Sequence, residues 1–462
     1  MKIAILTLGC DKNTVDSEYI AGLLAKKGHR VSPPDQGGDY DALIINTCGF
    51  IDLAKEESIQ TILAWAGEKT PRLEKKGGSF RLYVVGCLAE RYGSELASLI
   101  PEIDGMAGVG RWGDIVRLVE NQSSPRNIPR LTSLPSKRPS VRITDSMPRT
   151  RLDDFPYSYL KIADGCSHRC TFCAIPHIKG PYHSVPRKIL LKEVEDLVKK
   201  DVREINLVAQ DVNAYGIDLY KNYGLCELLE DITSVSGKFW VRILYLFPRS
   251  LPDKLLSLFQ ENNKLCPYID IPLQHVSPSV LKRMGRPPDV SPILESLSLY
   301  RKEIPDLSIR TTFITGFPGE TRTDFNRLLS LVRSFRFDRL GAFTYSREED
   351  VPAEKLDSPV PARTAKSRLE RLMMTQAEIS LEQNKALIGK TCEVMIDYIL
   401  PEKNLYAGRT MRDAPEKDGA VFVTSAKKLK PGQFVRVQIT KASFYDLYGN
   451  NWIKEALIET GR

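Results

Sequence analysis

The chain has 462 residues, which is too many for a single hydrophobic core, so two to four domains are expected. Hydrophobic residues make up 42% and charged residues 27%, as in ordinary globular proteins, and no apolar run reaches the roughly 18 residues that span a bilayer. We therefore expect a cytoplasmic protein with no membrane partner. Nine cysteines in a chain without a secretory segment favour metal binding or catalysis over disulfides.

The first third of the chain alternates apolar strands with helical segments. Residues 2–8, 42–47 and 81–86 are apolar runs, and the short run 106–110 precedes a helical stretch at 112–119. This alternation predicts a parallel, doubly wound sheet of flavodoxin-like type. The first apolar run is interpreted as a strand and not as the core of a signal sequence.

Three cysteines occupy matching places in this pattern. Cys10, Cys48 and Cys87 each follow the carboxyl end of a predicted strand. Ligands of open α/β sheets bind at that edge, so three thiols from three parallel strands could converge there. The residues alone leave two interpretations open: a metal site, or three buried thiols that behave as small hydrophobic side chains.

A basic, proline-rich segment separates the first third from the centre of the chain. Residues 121–151 contain seven Arg or Lys, one acid (Asp145) and five prolines, and supply +6 of the net charge of +8. They lack a helical or strand period, which indicates an extended linker. Two readings stay open: a solvated connection, or a segment that faces nucleic acid.

The central part carries a compact cysteine motif. Cys166, Cys170 and Cys173 follow a predicted strand with Cys-x3-Cys-x2-Cys spacing. Three thiolates at this spacing can hold a [4Fe-4S] cluster with one iron left open, and S-adenosylmethionine can chelate that iron. The alternative is a zinc site completed by His168 or His177, but the distant second cysteine pair typical of zinc sites is absent.

Five further strands are predicted after the cysteine motif, and with the first they make a partial (βα)6 barrel. They cover residues 204–211, 240–248, 268–275, 308–318 and 339–346. Active sites of such barrels lie at the carboxyl ends of the strands. From barrel position alone we predict cofactor contacts at Gln210, Gln274 and Gly316, the last within a Gly-x-x-Gly-Glu run. Other polar residues at these strand ends are Asp211, Arg249, His275, Glu320, Tyr345 and Ser346.

Residues 388–457 predict a small antiparallel β-barrel. Short apolar strands alternate with turns such as the one at Lys430 to Gly432. Residues 388–462 hold twelve basic and nine acidic side chains, and this balance of +3 does not identify a partner. The remaining cysteines, Cys226, Cys266 and Cys392, match no motif and are interpreted as structural thiols.

With these motifs, nearly the whole chain resembles the methylthiotransferase branch of the radical S-adenosylmethionine superfamily. The resemblance implies a second [4Fe-4S] cluster on Cys10, Cys48 and Cys87, beside the one on Cys166, Cys170 and Cys173. It also implies four units: a methylthiotransferase domain (1–122), the linker (123–151), a radical SAM core (152–385) and a domain similar to TRAM (388–457).

Several runs, among them INTCGFID, YIDIPLQH and GRTMRDAPEKDG (408–419), look like the ribosomal-protein type of this family, known as RimO. That type thiomethylates the β-carbon of an aspartate in small-subunit ribosomal protein uS12. The alternatives are the same chemistry on an N6-isopentenyladenosine-type base of tRNA, and a non-catalytic RNA-binding protein with structural or redox-sensing clusters. The family often has Ser-Arg-Pro after the cluster loop, whereas this chain has Val185 at the arginine position, which leaves that arginine's role open.

The resemblance also implies a mechanism. The cluster on Cys166, Cys170 and Cys173 generates a 5′-deoxyadenosyl radical from S-adenosylmethionine, and the radical removes a hydrogen atom from an unactivated carbon. Sulfur then comes from the open iron of the other cluster, and a second S-adenosylmethionine supplies the methyl group. The implied partners are the ribosomal protein, an electron donor such as flavodoxin or ferredoxin, and RNA or the ribosome at the linker and the TRAM-like domain.

Overall fold

The computed structural model describes residues 1–35, 38–69, 80–120, 143–144, 147–222 and 224–451. Most of the basic linker predicted at 123–151 lies outside the described residues. Within the described parts, no helix combines the length and the apolar character needed to cross a bilayer.

The amino-terminal unit is a parallel five-stranded sheet. Its strands are β1 (Lys2–Thr7), β2 (Arg30–Ser32), β3 (Ala42–Thr47), β4 (Arg81–Gly86) and β5 (Gly105–Ala107). The order β2-β1-β3-β4-β5 is the flavodoxin-like one, which confirms the predicted class. The helices of this unit are Asp11–Lys26, Asp52–Gly67, Cys87–Leu99 and Trp112–Glu120. Every residue of β3 is buried, as expected for a central strand covered on both faces.

The central unit is an open barrel of six parallel strands. Strands β6 (Tyr157–Lys161), β9 (Glu204–Val208) and β10 (Trp240–Ile243) form one sheet, and β11 (Tyr268–Asp270), β12 (Ser308–Thr315) and β13 (Arg339–Thr344) form the other. A bridge between Val241 and Leu265 joins the two. A two-stranded sheet of β7 (Ala163–Asp164) and β8 (His183–Ser184) flanks the cysteine loop. The longer helices are Arg187–Lys199, Leu225–Ser234, Asp253–Glu261, Ser291–Glu303, Arg322–Phe335 and Ala362–Lys385, and the shorter ones are Ile175–Lys179, Ile217–Tyr220 and Pro278–Arg283.

The carboxyl-terminal unit is a closed five-stranded barrel, as the sequence predicts. Its strands are β14 (Thr391–Ile399), β15 (Leu405–Arg409), β16 (Val421–Thr424), β17 (Phe434–Ala442) and β18 (Leu447–Asn450). β15 and β18 are short strands that contain glycine. Their positions are set by pairing with β14, β16 and β17, so the local pattern carries little signal for them.

The first two units share one hydrophobic core. The same cluster of buried side chains contains Val15 and Tyr19 of the first helix and Leu160 and Ile205 of the central barrel. The Tyr19 ring also stacks on Trp112 with centroids 5.0 Å apart. Because this core is continuous, the carboxyl edge of the amino-terminal sheet is held in a set position against the central barrel.

The described end of the linker is packed into this interface. Arg149 is buried and forms ion pairs with Glu18 of the first helix and Glu193 of the helix Arg187–Lys199. Its guanidinium also donates to the Tyr159 carbonyl at 2.8 Å. The expectation of a solvated or nucleic-acid-facing arginine is therefore wrong for Arg149, because the buried Glu18 and the largely covered Glu193, from two different helices, both pair with it.

Candidate functional site

Cys10, Cys48 and Cys87 lie together at the carboxyl edge of the amino-terminal sheet. Cys10 follows β1 and precedes the helix Asp11–Lys26, Cys48 follows β3, and Cys87 begins the helix after β4. β1 and β3 are the neighbours between which the strand order reverses, the place where such sheets bind ligands.

The backbone beside these cysteines is shaped for close approach. Gly9 has φ +89°, and a Cβ there would lie 2.5 Å from the Cys48 Cβ. Gly86 has φ +95°, and a Cβ there would lie 2.6 Å from the Thr47 carbonyl oxygen. Both positions need glycine for conformation and for space, so the three loops can meet only because no side chain stands between them.

The environment of these thiols reflects their mutual approach. Burial raises the pKa of Cys87 to about 12; Lys179 opposes the shift, and Cys10 and Cys48 add to it. Burial also raises the pKa of Cys48, with a further contribution from Cys10. Metal binding would release these protons, because the ligand form of cysteine is the thiolate.

The second group, Cys166, Cys170 and Cys173, lies on a loop after β7. The Cys166 amide donates to the Gly180 carbonyl at 3.0 Å, and the Cys173 amide donates to the Cys170 carbonyl at 3.2 Å. Burial raises the pKa of Cys173 to about 12, with smaller contributions from the other two cysteines. Main-chain bonds thus curl the loop so that its three thiols face one region.

Polar and aromatic groups border this loop at the barrel's carboxyl edge. His168 stacks on Phe247 with centroids 3.7 Å apart, and its Nε2 lies 2.7 Å from the Asp211 carboxylate. Asp211 also accepts from Arg249 at 2.8 Å. His168 is therefore engaged by Asp211 and Phe247, which gives no support to the zinc alternative that used it as a ligand.

The donor set fits clusters better than single ions. Within the described ranges, no three His, Cys, Asp or Glu side chains are grouped closely enough to ligate one metal ion. Thiolates of a four-iron cluster bind different irons, so they stand further apart than the ligands of one ion. Each group offers three thiols, the number that leaves one iron of a four-iron cluster open.

Lys179 lies between the two cysteine groups. It ends the helix that follows Cys173, and its ammonium pairs with Asp16 at 3.2 Å and Asp164 at 3.7 Å. Burial lowers the pKa of Lys179, but Asp16, Asp164, Cys87 and Cys10 outweigh burial and raise it well above its usual value. A cation of the radical SAM core is thus close to the cysteines of the amino-terminal unit.

Apolar packing also joins the two groups. Cys87 belongs to the same hydrophobic cluster as Ala174 and Ile178, which directly follow the second cysteine group, and as Phe317 of the Gly-x-x-Gly-Glu run. The two cysteine groups therefore share one side of the molecule, as the expected sulfur transfer requires.

The three predicted cofactor contacts lie at the barrel's carboxyl edge but have different surroundings. Gln210 donates to Asp164 at 3.3 Å, and its buried Oε1 has no partner among the described residues. Gln274 has φ +70°, and the same holds for its Oε1 within the described part of the chain. The Gly316 amide donates to the Glu320 carboxylate, which pairs with Arg368 at 3.2 Å. Gly316 also lines a cavity of about 630 Å³. Their contact with a cofactor stays a prediction.

Sequence reasoning missed several charged groups of the site. Asp11 is buried directly after Cys10 and pairs with Lys12 at 3.0 Å. The guanidinium of Arg286 lies 4.6 Å from the centroid of the Phe247 ring, and two of its buried nitrogens find no partner in the part of the chain that the structure describes. Two charged residues next to a candidate ligand were the only local signal for Asp11 and Lys12, and Arg286 gave none.

Family models match all three units of the chain. Residues 2–108 match the uncharacterized protein family UPF0004, residues 160–332 match the radical SAM superfamily, and residues 388–451 match the TRAM domain. These ranges fall within the predicted units 1–122, 152–385 and 388–457, whose exact boundaries stay predictions.

Full-length relatives decide the family. The ribosomal protein uS12 methylthiotransferase RimO of Carboxydothermus hydrogenoformans is 45% identical, over 97% of this chain and 99% of the relative. The chain belongs to the RimO family of radical SAM methylthiotransferases. The RimO of Clostridioides difficile is 42% identical, over 97% of this chain and 98% of the relative. Membership of the RimO family confirms the predicted enzyme class.

A solved structure shares the fold at much lower identity. The radical S-adenosylmethionine methyltransferase TsrM from Kitasatospora setae, solved with cobalamin and a [4Fe-4S] cluster bound, has a TM-score of 0.55 and 11% identity. The match covers 88% of this chain and 80% of that one. At this identity the likeness supports the architecture of the RimO-family chain and says nothing of its substrate.

Proposed function

We propose that this chain transfers a methylthio group to the β-carbon of an aspartate in ribosomal protein uS12, in the cytoplasm. The observation that carries the proposal is the full-length identity of 45% and 42% to relatives that bear this name. The shared side of the two cysteine groups supports it. These relatives favour the ribosomal-protein type over the tRNA type.

In this proposal the cysteines hold two clusters. Cys166, Cys170 and Cys173 hold the one that binds S-adenosylmethionine, and Cys10, Cys48 and Cys87 hold the other. When bound, the clusters supply the electron that cleaves S-adenosylmethionine and an open iron that carries the transferred sulfur. A flavodoxin or ferredoxin is the proposed electron donor.

The surrounding side chains hold the two cysteine groups in place. Lys179, between Asp16 and Asp164, keeps the helix after Cys173 against the amino-terminal unit. Glu320 accepts from the amides of Gly316 and Phe317 and so shapes the strand-end turn where we propose that S-adenosylmethionine binds. Gln210 and Gln274 each have a buried side-chain oxygen with no partner among the described residues, and they are proposed further contacts.

Two cysteine variants test the division of labour. After anaerobic reconstitution, the wild type should hold about eight irons, because two four-iron clusters are proposed. Cys170→Ala should lose reductive cleavage of S-adenosylmethionine. Cys48→Ala should retain that cleavage but lose methylthiolation of the uS12 peptide, measured as the mass gain of the peptide. Cys392→Ala, a thiol of the carboxyl-terminal barrel outside both groups, is the matched control.

The outcomes separate the possible readings. Methylthiolation by Cys48→Ala would refute the role of the amino-terminal cysteines. Cleavage of S-adenosylmethionine by the wild type without modification of the peptide would move the substrate to tRNA. About four irons in the wild type would mean that only one of the two cysteine groups holds a cluster.

We also propose an RNA or ribosome contact at the carboxyl-terminal barrel. Phe422 and Tyr448, neighbours on β16 and β18, stack with centroids 5.2 Å apart, and the Lys441 ammonium lies 5.3 Å from the Tyr448 centroid. Aromatic platforms with adjacent cations are how many barrels of this size bind single-stranded RNA. Phe422→Ser should weaken binding to the small ribosomal subunit, in a co-sedimentation assay, without changing methylthiolation of an isolated peptide.

A further inference from the structure

The carboxyl-terminal barrel sends a loop into the central barrel. We call residues 410–419, between β15 and β16, the lumen loop. At its base the fully buried Arg242 of β10 donates to the Met411 carbonyl at 2.7 Å. Arg339 of β13 donates to Asp413 at 2.9 Å. These arginines come from strands of both halves of the open barrel, so the loop occupies the space between them.

Further along, the loop bonds to tyrosines of the barrel wall. The Tyr157 and Tyr159 hydroxyls of β6 donate to Glu416 at 2.9 and 3.1 Å. The Tyr268 hydroxyl of β11 donates to Asp418 at 2.6 Å. The acidic side chains of the lumen loop are thus hydrogen-bonded to groups of the central barrel. These bonds fix the loop within the barrel.

Lys417 at the tip reaches the amino-terminal unit. Its ammonium lies 5.5 Å from the ring centroids of both Tyr159 and Tyr245 and donates to the Asp11 carboxylate at 2.9 Å. Asp11 also accepts from the Tyr245 hydroxyl at 2.9 Å and pairs with Lys12. The Asp11 side chain is wholly buried, and Asp11 directly follows Cys10.

We propose that Lys417 is a positioning residue for the Cys10 loop, so that the carboxyl-terminal domain forms the inner wall of the active site. The lumen loop places the Lys417 ammonium beside the turn that contains Cys10. This inference rests on the proposed role of Cys10 as a cluster ligand. It gives the carboxyl-terminal domain a task inside the enzyme that is separate from any contact with RNA.

Two physical effects follow from the Lys417–Asp11 pair. The pair restrains the turn after β1, because movement of Asp11 would leave the largely buried ammonium of Lys417 without its carboxylate. The ammonium also adds a positive charge beside the amino-terminal cluster, which favours its reduced form. A mutation at Lys417 should therefore change both the motion of this turn and the reduction of the cluster.

The test uses the whole chain with Lys417→Met, which keeps most of the length of the side chain and removes its charge. Hydrogen exchange of the metal-free protein should be about tenfold faster at residues 8–14, because their local opening becomes easier. A redox titration followed by EPR, with Cys166, Cys170 and Cys173 changed to alanine, reads the amino-terminal cluster alone. We expect it to be about tenfold harder to reduce, about 59 mV lower for one electron.

Two matched variants make the result specific. Lys417→Arg keeps the charge and should restore both the exchange rate and the potential. Lys428→Met removes an exposed charge of the same domain and should change neither. Wild-type exchange and potential in Lys417→Met would overturn the proposal, as would equal effects of Lys417→Met and Lys428→Met.

A double variant distinguishes loss of the Lys417–Asp11 contact from a general loss of stability in Lys417→Met. If Lys417 acts through Asp11, adding Lys417→Met to Asp11→Asn should cause no further change in exchange at residues 8–14. Additive changes would overturn the proposal. Cys10→Ala tests the ligand role separately: full iron content in that variant would refute the cluster assignment, whatever Lys417 does.

Discussion

Arg149 helps to hold the amino-terminal unit against the central barrel, and Arg149→Met should make opening of this interface more frequent. The guanidinium is the shared partner of Glu18 and Glu193, and the three side chains are 7%, 2% and 12% exposed. The Thr150 amide beside it donates to the Glu18 carbonyl at 3.0 Å. Methionine fills much of the same space but leaves the two carboxylates facing each other without a cation.

The cost follows from the partners that remain. Removing one member of a buried ion pair costs about 3–5 kcal/mol. Glu193 keeps the hydroxyl of Tyr19 as a donor at 2.8 Å, so we take the lower end, about 3 kcal/mol. At 1.36 kcal/mol per tenfold, the opening of this interface should become about two orders of magnitude more frequent.

The loss of interface stability in Arg149→Met should grow as the pH rises. Burial raises the pKa of Glu18, and Arg149 partly offsets that rise. Without Arg149 the pKa of Glu18 in the closed interface rises further. At a pH between the pKa values of the open and closed states, Glu18 is therefore protonated when the interface is closed and ionised when it is open. Protonation stabilises the docked state below the raised pKa, and this relief disappears as the pH rises through that value. The window therefore starts near the ordinary glutamate pKa of 4.5 and extends upward.

Hydrogen exchange at Thr150 measures the opening directly. Exchange in Arg149→Met, relative to wild type and corrected for the intrinsic pH dependence, should be faster by about two orders of magnitude at pH 8 and less at pH 5. Arg117→Met removes an arginine from an exposed pair with Asp114 and should leave Thr150 unchanged. An unchanged Thr150 amide, or a deficit equal at both pH values, would refute the reasoning.

Two further predictions concern the site. Gly9→Ala should destabilise the Cys10 turn by about 1–3 kcal/mol and lower the iron bound after reconstitution by about half. Gly67→Ala is the control, because open space surrounds Gly67. Full iron content in Gly9→Ala would contradict the close approach of Gly9 to Cys48. Arg368→Met removes the partner that lies 3.2 Å from Glu320 and should weaken S-adenosylmethionine binding about tenfold, measured by calorimetry. Arg371→Met, a change at an exposed arginine of the same helix, should leave the affinity unchanged. An unchanged affinity in Arg368→Met would contradict the role of the Arg368–Glu320 pair in shaping the turn.

The sequence was sufficient for the main buried strands and for naming the candidate ligands. Strands 42–47 and 81–86 agree with the structure at both ends, because a buried strand is a continuous apolar run visible in its own residues. Cys10, Cys48 and Cys87 follow β1, β3 and β4, so the parallel topology was enough to place them at one edge. The six-strand central barrel and the carboxyl-terminal barrel were also predicted from such local patterns.

The tertiary structure decided which charges are buried and with whom. Lys179 meets Asp16, Arg149 meets Glu18, and Lys417 meets Asp11, pairs separated by 163, 131 and 406 residues. In the sequence each is an ordinary polar residue, because local periodicity reports only which face of an element is apolar. A buried ion pair depends on two distant segments reaching the same place with opposite charges, and only the packed chain determines that meeting.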